Sequence, residues 1–287
     1  MAGDPPPPAR QEGVPPTAPP AGGALEEVLV LDFGGQYSQL IARRIRECGV
    51  FAEMLPASTS IEKIRERKPK GLVLSGGPAS VYEPEAPKFP TQLLDLDVPT
   101  LGICYGMQAM ALALGGRVES AETGEFGRTD LVLRDGGGRL LGGLPDQQSC
   151  WMSHRDAVFE APEGFTALAS SPSSPVAAYE LPDRGLYGIQ FHPEVVHTPY
   201  GTEILTRFLR DVAGCTEQWS PQSVIAEQVE KIQAQVGEGK VICGLSGGVD
   251  SSVAALLVHK AVGDKLTCVF VDHGLMRMNE AQQVVEA

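Results

Sequence analysis

Thr100-Leu101-Gly102-Ile103-Cys104-Tyr105-Gly106-Met107-Gln108 is the stretch on which the fold turns. Its first four residues are an apolar run of strand type. The residues from Gly106 to Leu114 continue as a helix that Gly115-Gly116 closes. A strand passing into a helix through Gly-x-Cys-x-Gly is the nucleophile-elbow arrangement with sulfur in place of the serine oxygen. The bend demands unusual backbone angles and close approach of the flanking chain, and glycine tolerates both. It holds the thiol out at the carboxyl edge of a sheet, in the first turn of a helix, where unpaired N–H groups favour an anion. A structural cysteine buried at a strand end fits the same nine residues, so the stretch alone leaves both readings open.

Outward from this point the pattern repeats. Val28-Leu29-Val30-Leu31 is a buried strand stopped by Asp32-Phe33-Gly34-Gly35. Residues 39–48 place Leu40, Ile41 and Ile45 among Arg43, Arg44 and Arg46, an amphipathic helix ending at Gly49. Gly71-Leu72-Val73-Leu74 is another strand, ending in Ser75-Gly76-Gly77-Pro78. Strands alternating with helices through glycine-rich turns predict an α/β fold, a parallel wrapped sheet with helices on both faces. Residues 124–189 read as short alternating runs, hence antiparallel strands added to the same domain. A closing helix is expected over 202–212, a helix over 223–235 and a new α/β pattern from Val241. The expected organisation is a disordered tail (1–24), a first domain (26–214), a linker (215–222) and a second domain (223–287).

Two features bear on Cys104. The strand Leu186-Tyr187-Gly188-Ile189 leads to Gln190-Phe191-His192-Pro193-Glu194. A thiol needs a base, and histidine titrates in the useful range. A carboxylate two residues on can fix its tautomer if Pro193 turns both side chains the same way. A histidine beside a proline in a surface loop is the plain alternative. The Ser75-Gly76-Gly77-Pro78 turn offers a backbone N–H to a developing oxyanion, with the N–H of Tyr105 as the second donor.

LSGGP, GICYGMQ and GIQFHPEV, in this order, resemble the class I glutamine amidotransferase (triad) family over about residues 28–214. That family implies a flavodoxin-like domain. WMSHRD at 151–156 and the opening LDFGGQYSQLIARR narrow the likeness to members that feed ammonia to guanylate synthesis; Arg155 stands where they usually carry glycine. The resemblance implies Cys104 as nucleophile, His192 as general base and acid, and Glu194 as orienting carboxylate. It also implies an oxyanion hole from the backbones of Gly77 and Tyr105, with Gln108 helping to hold the substrate amino acid. No cofactor is implied for the hydrolysis.

Lys240-Val241-Ile242-Cys243-Gly244-Leu245 is a strand, followed by Ser246-Gly247-Gly248-Val249-Asp250-Ser251-Ser252 and a helix over 253–262. A glycine-rich turn between strand and helix lines up N–H groups at a positive helix end, which suits phosphate. Asp250 fits beside phosphate if Mg²⁺ lies between them. No Gly-Lys-Ser/Thr closes the loop, so it is not a Walker A motif; a plain Gly-Ser turn is the alternative. SGGVDSS resembles the pyrophosphate loop of the ATP pyrophosphatase family, implying ATP contacts from Ser246, Gly247, Gly248, Val249, Asp250, Ser251 and Ser252. Residues 268–277 resemble that family's next strand and turn. Together the two likenesses imply a glutamine-dependent ligase: ATP and Mg²⁺ adenylate xanthosine monophosphate, and ammonia displaces AMP to give GMP. They also imply a homodimer through a further C-terminal domain. Two strands and two helices after Val236 are too little to cover a parallel sheet. The expectation is therefore a fragment competent at most for glutamine hydrolysis. A different triad amidotransferase, a γ-glutamyl hydrolase and a non-catalytic binding module with the Pro-rich tail as docking element are the competing readings.

Composition agrees with a cytoplasmic enzyme of small molecules. The 287 residues carry 23 Lys and Arg against 36 Asp and Glu, a net charge of −13. That balance disfavours nucleic-acid backbones and anionic membrane surfaces. The six cysteines, Cys48, Cys104, Cys150, Cys215, Cys243 and Cys268, form no C-x-x-C pair or metal-ligand cluster. Residues 1–24 hold eight of the 23 prolines, a composition unable to build a core.

Overall fold

The computed structural model describes residues 26–77, 80–216, 219–272 and Gln282. The Pro-rich tail expected over 1–24, Pro78 and the turn and helix expected beyond Asp272 lie outside these residues. The described chain divides into two compact units between Ser220 and Pro221.

The first unit runs β1 (Glu27–Asp32), α1 (Ser38–Glu47), β2 (Phe51–Pro56), α2 (Ile61–Arg67), β3 (Gly71–Leu74), β4 (Thr100–Ile103) and α3 (Tyr105–Ala113). It continues with β5 (Arg117–Leu133), α4 (Gly138–Leu141), β6 (Gln147–Glu160), β7 (Thr166–Ser170), β8 (Ala178–Leu181), β9 (Leu186–Ile189) and α5 (Gly201–Arg207). One sheet holds all nine strands in the order β2-β1-β3-β4-β9-β8-β7-β5-β6. The half from β2 to β9 is parallel and the remaining pairs are antiparallel.

The period of two along β1 sends its residues to opposite faces. Val28 and Val30 join Ile41 and Ile45 of α1 and Ile204 and Leu205 of α5 in one core. Leu29 and Leu31 join Ile64 of α2 and Met107 and Met110 of α3 in the other. Helices thus cover both faces of the parallel half, which is why its strands read as continuous apolar runs. Each such aliphatic side chain, removed wholly from water, contributes about 1.5–3 kcal/mol.

The antiparallel part departs from the short runs expected. β5 spans 17 residues and β6 spans 14, paired from Arg117↔Glu160 to Val132↔Gln147 with register shifts at Arg117/Val118 and Ser120/Glu125. Gly124 and Gly127 do not end β5, because the shift at Ser120/Glu125 and a φ of 97° at Gly127 absorb the irregularity. The closing helix ends differently as well: α5 passes into a π-helical turn, Phe208–Val212.

The second unit contains α6 (Pro221–Val236), β10 (Val241–Leu245), α7 (Val249–Val262) and β11 (Leu266–Phe270). The helix starts at Pro221, inside the stretch expected as linker. β10 and β11 pair in parallel, and Ile242, Val249, Leu256 and Val271 are exposed. Among the described residues no helix is long and apolar enough to cross a membrane.

Candidate active site

Cys104 is the N-cap of α3, with φ 52° and ψ −108°. Its N–H donates to the Ile189 carbonyl at 2.8 Å, which ties the bend to β9. The positive φ falls on the cysteine itself; the flanking glycines serve close approach. A Cβ on Gly102 would stand 2.7 Å from the Met107 nitrogen, and one on Gly106 would stand 2.5 Å from the Leu74 carbonyl oxygen. The first N–H groups of a helix have no intrahelical acceptor, so the N–H of Tyr105 is free of the helix ladder, while that of Gly106 donates to Ser75 O at 3.1 Å. Cys104 is buried, with its sulfur 3.7 Å from Ser153 O and 3.6 Å from Gln190 Nε2.

His192 follows β9, the strand paired with β4, so the sheet itself carries it to the cysteine. Its Nδ1 lies 2.7 Å from Glu194 Oε1, and both residues are buried. Trp151 and Thr198 fix the main chain: His192 N–H donates to Trp151 O at 2.9 Å, and Thr198 Oγ1 donates to His192 O at 2.7 Å. The Tyr37 ring meets the imidazole edge-on at 5.1 Å. From α1, Arg44 Nε donates to Glu194 O at 2.9 Å. Gly76 lies between imidazole and thiol; a Cβ there would be 3.3 Å from His192 Cε1 and 3.8 Å from Cys104 Cβ.

Burial disfavours the imidazolium, but hydrogen bonds and charge from Cys104 and Glu194 outweigh it, and the His192 pKa is pushed up to about 10. The stability this pairing lends the fold is fully present below the ordinary value of 6.5 and is lost as pH climbs through about 10. Glu194→Gln should lower the pH at which the ring gives up its proton, read by NMR titration of the His192 ring protons. An unmoved midpoint would mean that the carboxylate does not set it.

A cavity of about 640 Å³ opens at the carboxyl ends of β1, β3 and β4, where the strand order switches direction. It is lined by Gly76, Gly77, Cys104, Tyr105, Gln108 and His192, together with Gly34 to Tyr37 from the β1–α1 turn. Ser153, His154, Arg155 and Asp156 line it from β6. The structure therefore brings Cys104, His192, Gly77, Tyr105 and Gln108 to one cavity, with Glu194 buried behind the imidazole. Gln108 uses both amide hydrogens inside the protein, donating to Asp156 O at 2.6 Å and Gln190 Oε1 at 3.1 Å, so it can offer a ligand only its carbonyl oxygen.

Sequence reasoning marked the 151–156 stretch around His154 without giving that residue a chemical step, and it missed the groups that hold it. His154 is held by Glu125 Oε2 at 3.0 Å and by Asp156 O at 3.0 Å; Ser171 Oγ and Ser173 N–H also donate to Glu125. Burial raises the Glu125 pKa, but these donors outweigh it and hold the carboxyl below its usual value. No spacing links residue 125 to 154 or 171; the β5–β6 register and the β7 end create the meeting. Thr198 and Tyr37 likewise carry no motif. His197 packs on the Trp151 indole, ring centroids 4.7 Å apart.

In the second unit the serine loop stands between β10 and α7. Ser246 Oγ and Ser251 Oγ are 3.1 Å apart, Ser251 Oγ also meets the N–H of Ser246 at 3.2 Å, and Ser252 Oγ donates to Gly248 O. Gly247 has φ 81° and Gly248 is the N-cap of α7. Asp250 lies in the first turn, exposed. Among the described residues no group of three His, Cys, Asp or Glu could hold a metal ion. A lone exposed carboxylate suits only an ion that keeps its waters and is shared with phosphate oxygens, which is the habit of Mg²⁺.

A buried cysteine at a strained strand–helix elbow, met by a histidine–glutamate pair from the neighbouring parallel strand, defines the sulfur variant of the nucleophile-elbow class. The family model described as glutamine amidotransferase class-I matches residues 29–212, and the chain belongs to that family. A second model, described as NAD synthase, matches residues 221–285. The GMP synthase (glutamine-hydrolyzing) of Mycobacterium tuberculosis is 59% identical over 257 residues, covering 90% of this chain and 49% of the relative. That of Carboxydothermus hydrogenoformans is 57% identical, covering 90% and 51%. The chain thus spans about half the length of the curated relatives it matches. A crystal structure from Thermoplasma acidophilum, of a protein provisionally described as a GMP synthase subunit, superposes with a TM-score of 0.58 at 32% identity, covering 67% of this chain and 96% of that one.

Proposed function

We propose that this chain hydrolyses glutamine to glutamate and ammonia as the amidotransferase part of a GMP synthase. Cys104 Sγ attacks the carboxamide carbon while the charged His192 ring holds the proton. The tetrahedral oxyanion is held by the N–H groups of Gly77 and Tyr105. Collapse expels ammonia, protonated by His192, and leaves a γ-glutamyl thioester. Water, deprotonated by the same imidazole, releases glutamate and restores the thiol. Glu194 keeps the imidazole in one tautomer and favours its charged form, and Gln108 contacts the amino acid.

The observation that supports this reading most is the meeting of an elbow thiol with a buried imidazole whose far nitrogen is 2.7 Å from a carboxylate, all at one cavity. For the second half-reaction, residues 246–252 would hold the ATP pyrophosphate and Asp250 its Mg²⁺. The ion, when bound, neutralises phosphate charge. ATP then adenylates xanthosine monophosphate, and ammonia displaces AMP. The synthetase half, the homodimer, a cytoplasmic setting and the domain limits given above belong to the same proposal.

The test has two arms. Glutamate release by the purified chain, with Cys104 alone labelled by a diazo-ketone glutamine analogue, supports the hydrolysis. Pyrophosphate release that requires ATP and xanthosine monophosphate together, from a full-length protein bearing this sequence, supports the ligase. Release of pyrophosphate with a different nucleotide acceptor would redirect the second arm alone.

A further inference from the structure

A free amino acid carries two charges besides its amide, and the cavity must account for both. Among the described residues lining it, Arg155 is the sole Lys or Arg, while Glu83 and Asp156 are acidic. Asp156 is buried and accepts a hydrogen bond from Ser80 Oγ. Arg155 is exposed and forms no ion pair with any described residue, so its guanidinium keeps its five donors for a ligand.

Its place on β6 sets the range. Ser153 O stands 3.7 Å from the Cys104 sulfur. Two residues along a strand advance about 6.8 Å, so Arg155 starts roughly that far from the group beside the thiol. An extended glutamine separates its carboxamide carbon from its α-carboxylate carbon by about 5 Å. A glutamine with its amide at the sulfur and its chain running along β6 therefore brings its carboxylate within reach of the guanidinium. Planar two-point pairing with a carboxylate is the contact that arginine makes best.

We propose that the Arg155 side chain binds the α-carboxylate of the substrate and makes the site selective for amides that carry one. The inference rests on the glutamine hydrolysis proposed above and adds the group that reads the amino-acid end of the substrate. The charge would then act mainly on binding, since the carboxylate is remote from the reacting carbon.

The experiment compares wild type, Arg155→Met and Arg155→Lys in the full chain, with glutamine and with 4-aminobutanamide, which lacks the α-carboxylate. Iodoacetamide labelling of Cys104 serves as a measure of the thiol itself. For Arg155→Met the expected result is a KM for glutamine raised about 10- to 100-fold with kcat changed little. Activity on 4-aminobutanamide and the labelling rate should match wild type, and Arg155→Lys should recover part of the loss. An unchanged KM, or an equal loss on both amides, overturns the assignment while wild-type glutamine hydrolysis leaves the wider reading standing. A wild-type chain that neither hydrolyses glutamine nor reacts with its diazo-ketone analogue overturns both.

Discussion

Cys104→Ala leaves glutamine hydrolysis at background, a loss of about 10⁴- to 10⁶-fold, because the acyl group then has nowhere to form its covalent bond. Cys104→Gly is equally inactive, yet the two variants differ in stability. At φ 52° and ψ −108° a residue with a Cβ is strained by about 1–3 kcal/mol, and glycine is not. The glycine variant should therefore unfold at higher urea than the alanine variant. Steady-state glutamate release and urea midpoints read the two effects separately. Substantial turnover by Cys104→Ala would place the chemistry elsewhere; identical midpoints would mean that the elbow stores no strain.

Gly201→Ala is expected to destabilise the chain by about 3 kcal/mol and to cut hydrolysis by roughly 10²-fold, although residue 201 touches no substrate. A Cβ there would fall 1.9 Å from the Pro193 carbonyl oxygen and 2.7 Å from its carbon. Both are backbone atoms, so α5 and the His192–Glu194 turn must part. Either movement breaks the alignment of imidazole with carboxylate. Gly115→Ala is the control: its φ of 86° carries a backbone penalty, but nothing lies within 4 Å of the added carbon. If Gly201→Ala costs no more than Gly115→Ala in urea and in kcat, the packing argument fails.

Strands β1, β3, β4 and β9 of the parallel half were legible because each is covered on both sides and so appears as a short apolar run. The elbow was legible because sterics leave little choice but glycine at 102 and 106. β2 was not: Glu53 interrupts Phe51–Pro56 and only Ala52 and Leu55 are buried, as befits a strand at the sheet edge. The lengths of β5 and β6 were hidden by internal glycines that propensity reads as turns, whereas cross-strand pairing carries the chain through them. For the site, local motifs supplied Cys104, His192 and Glu194. Groups that meet only through register, such as Glu125 with His154 or Thr198 with Trp151, leave no local trace.

β4 and β9 lie side by side although the whole of β5 to β8 is threaded between them in sequence. Joining them closes a long loop, whose entropy must be met before any contact between them repays it. Cys104 is placed on one side of that closure and His192 on the other. The two side chains therefore meet only through one of the most distant strand pairings that the first unit makes. Under the function proposed above, a chain whose β4–β9 pairing has not closed carries the thiol without its base.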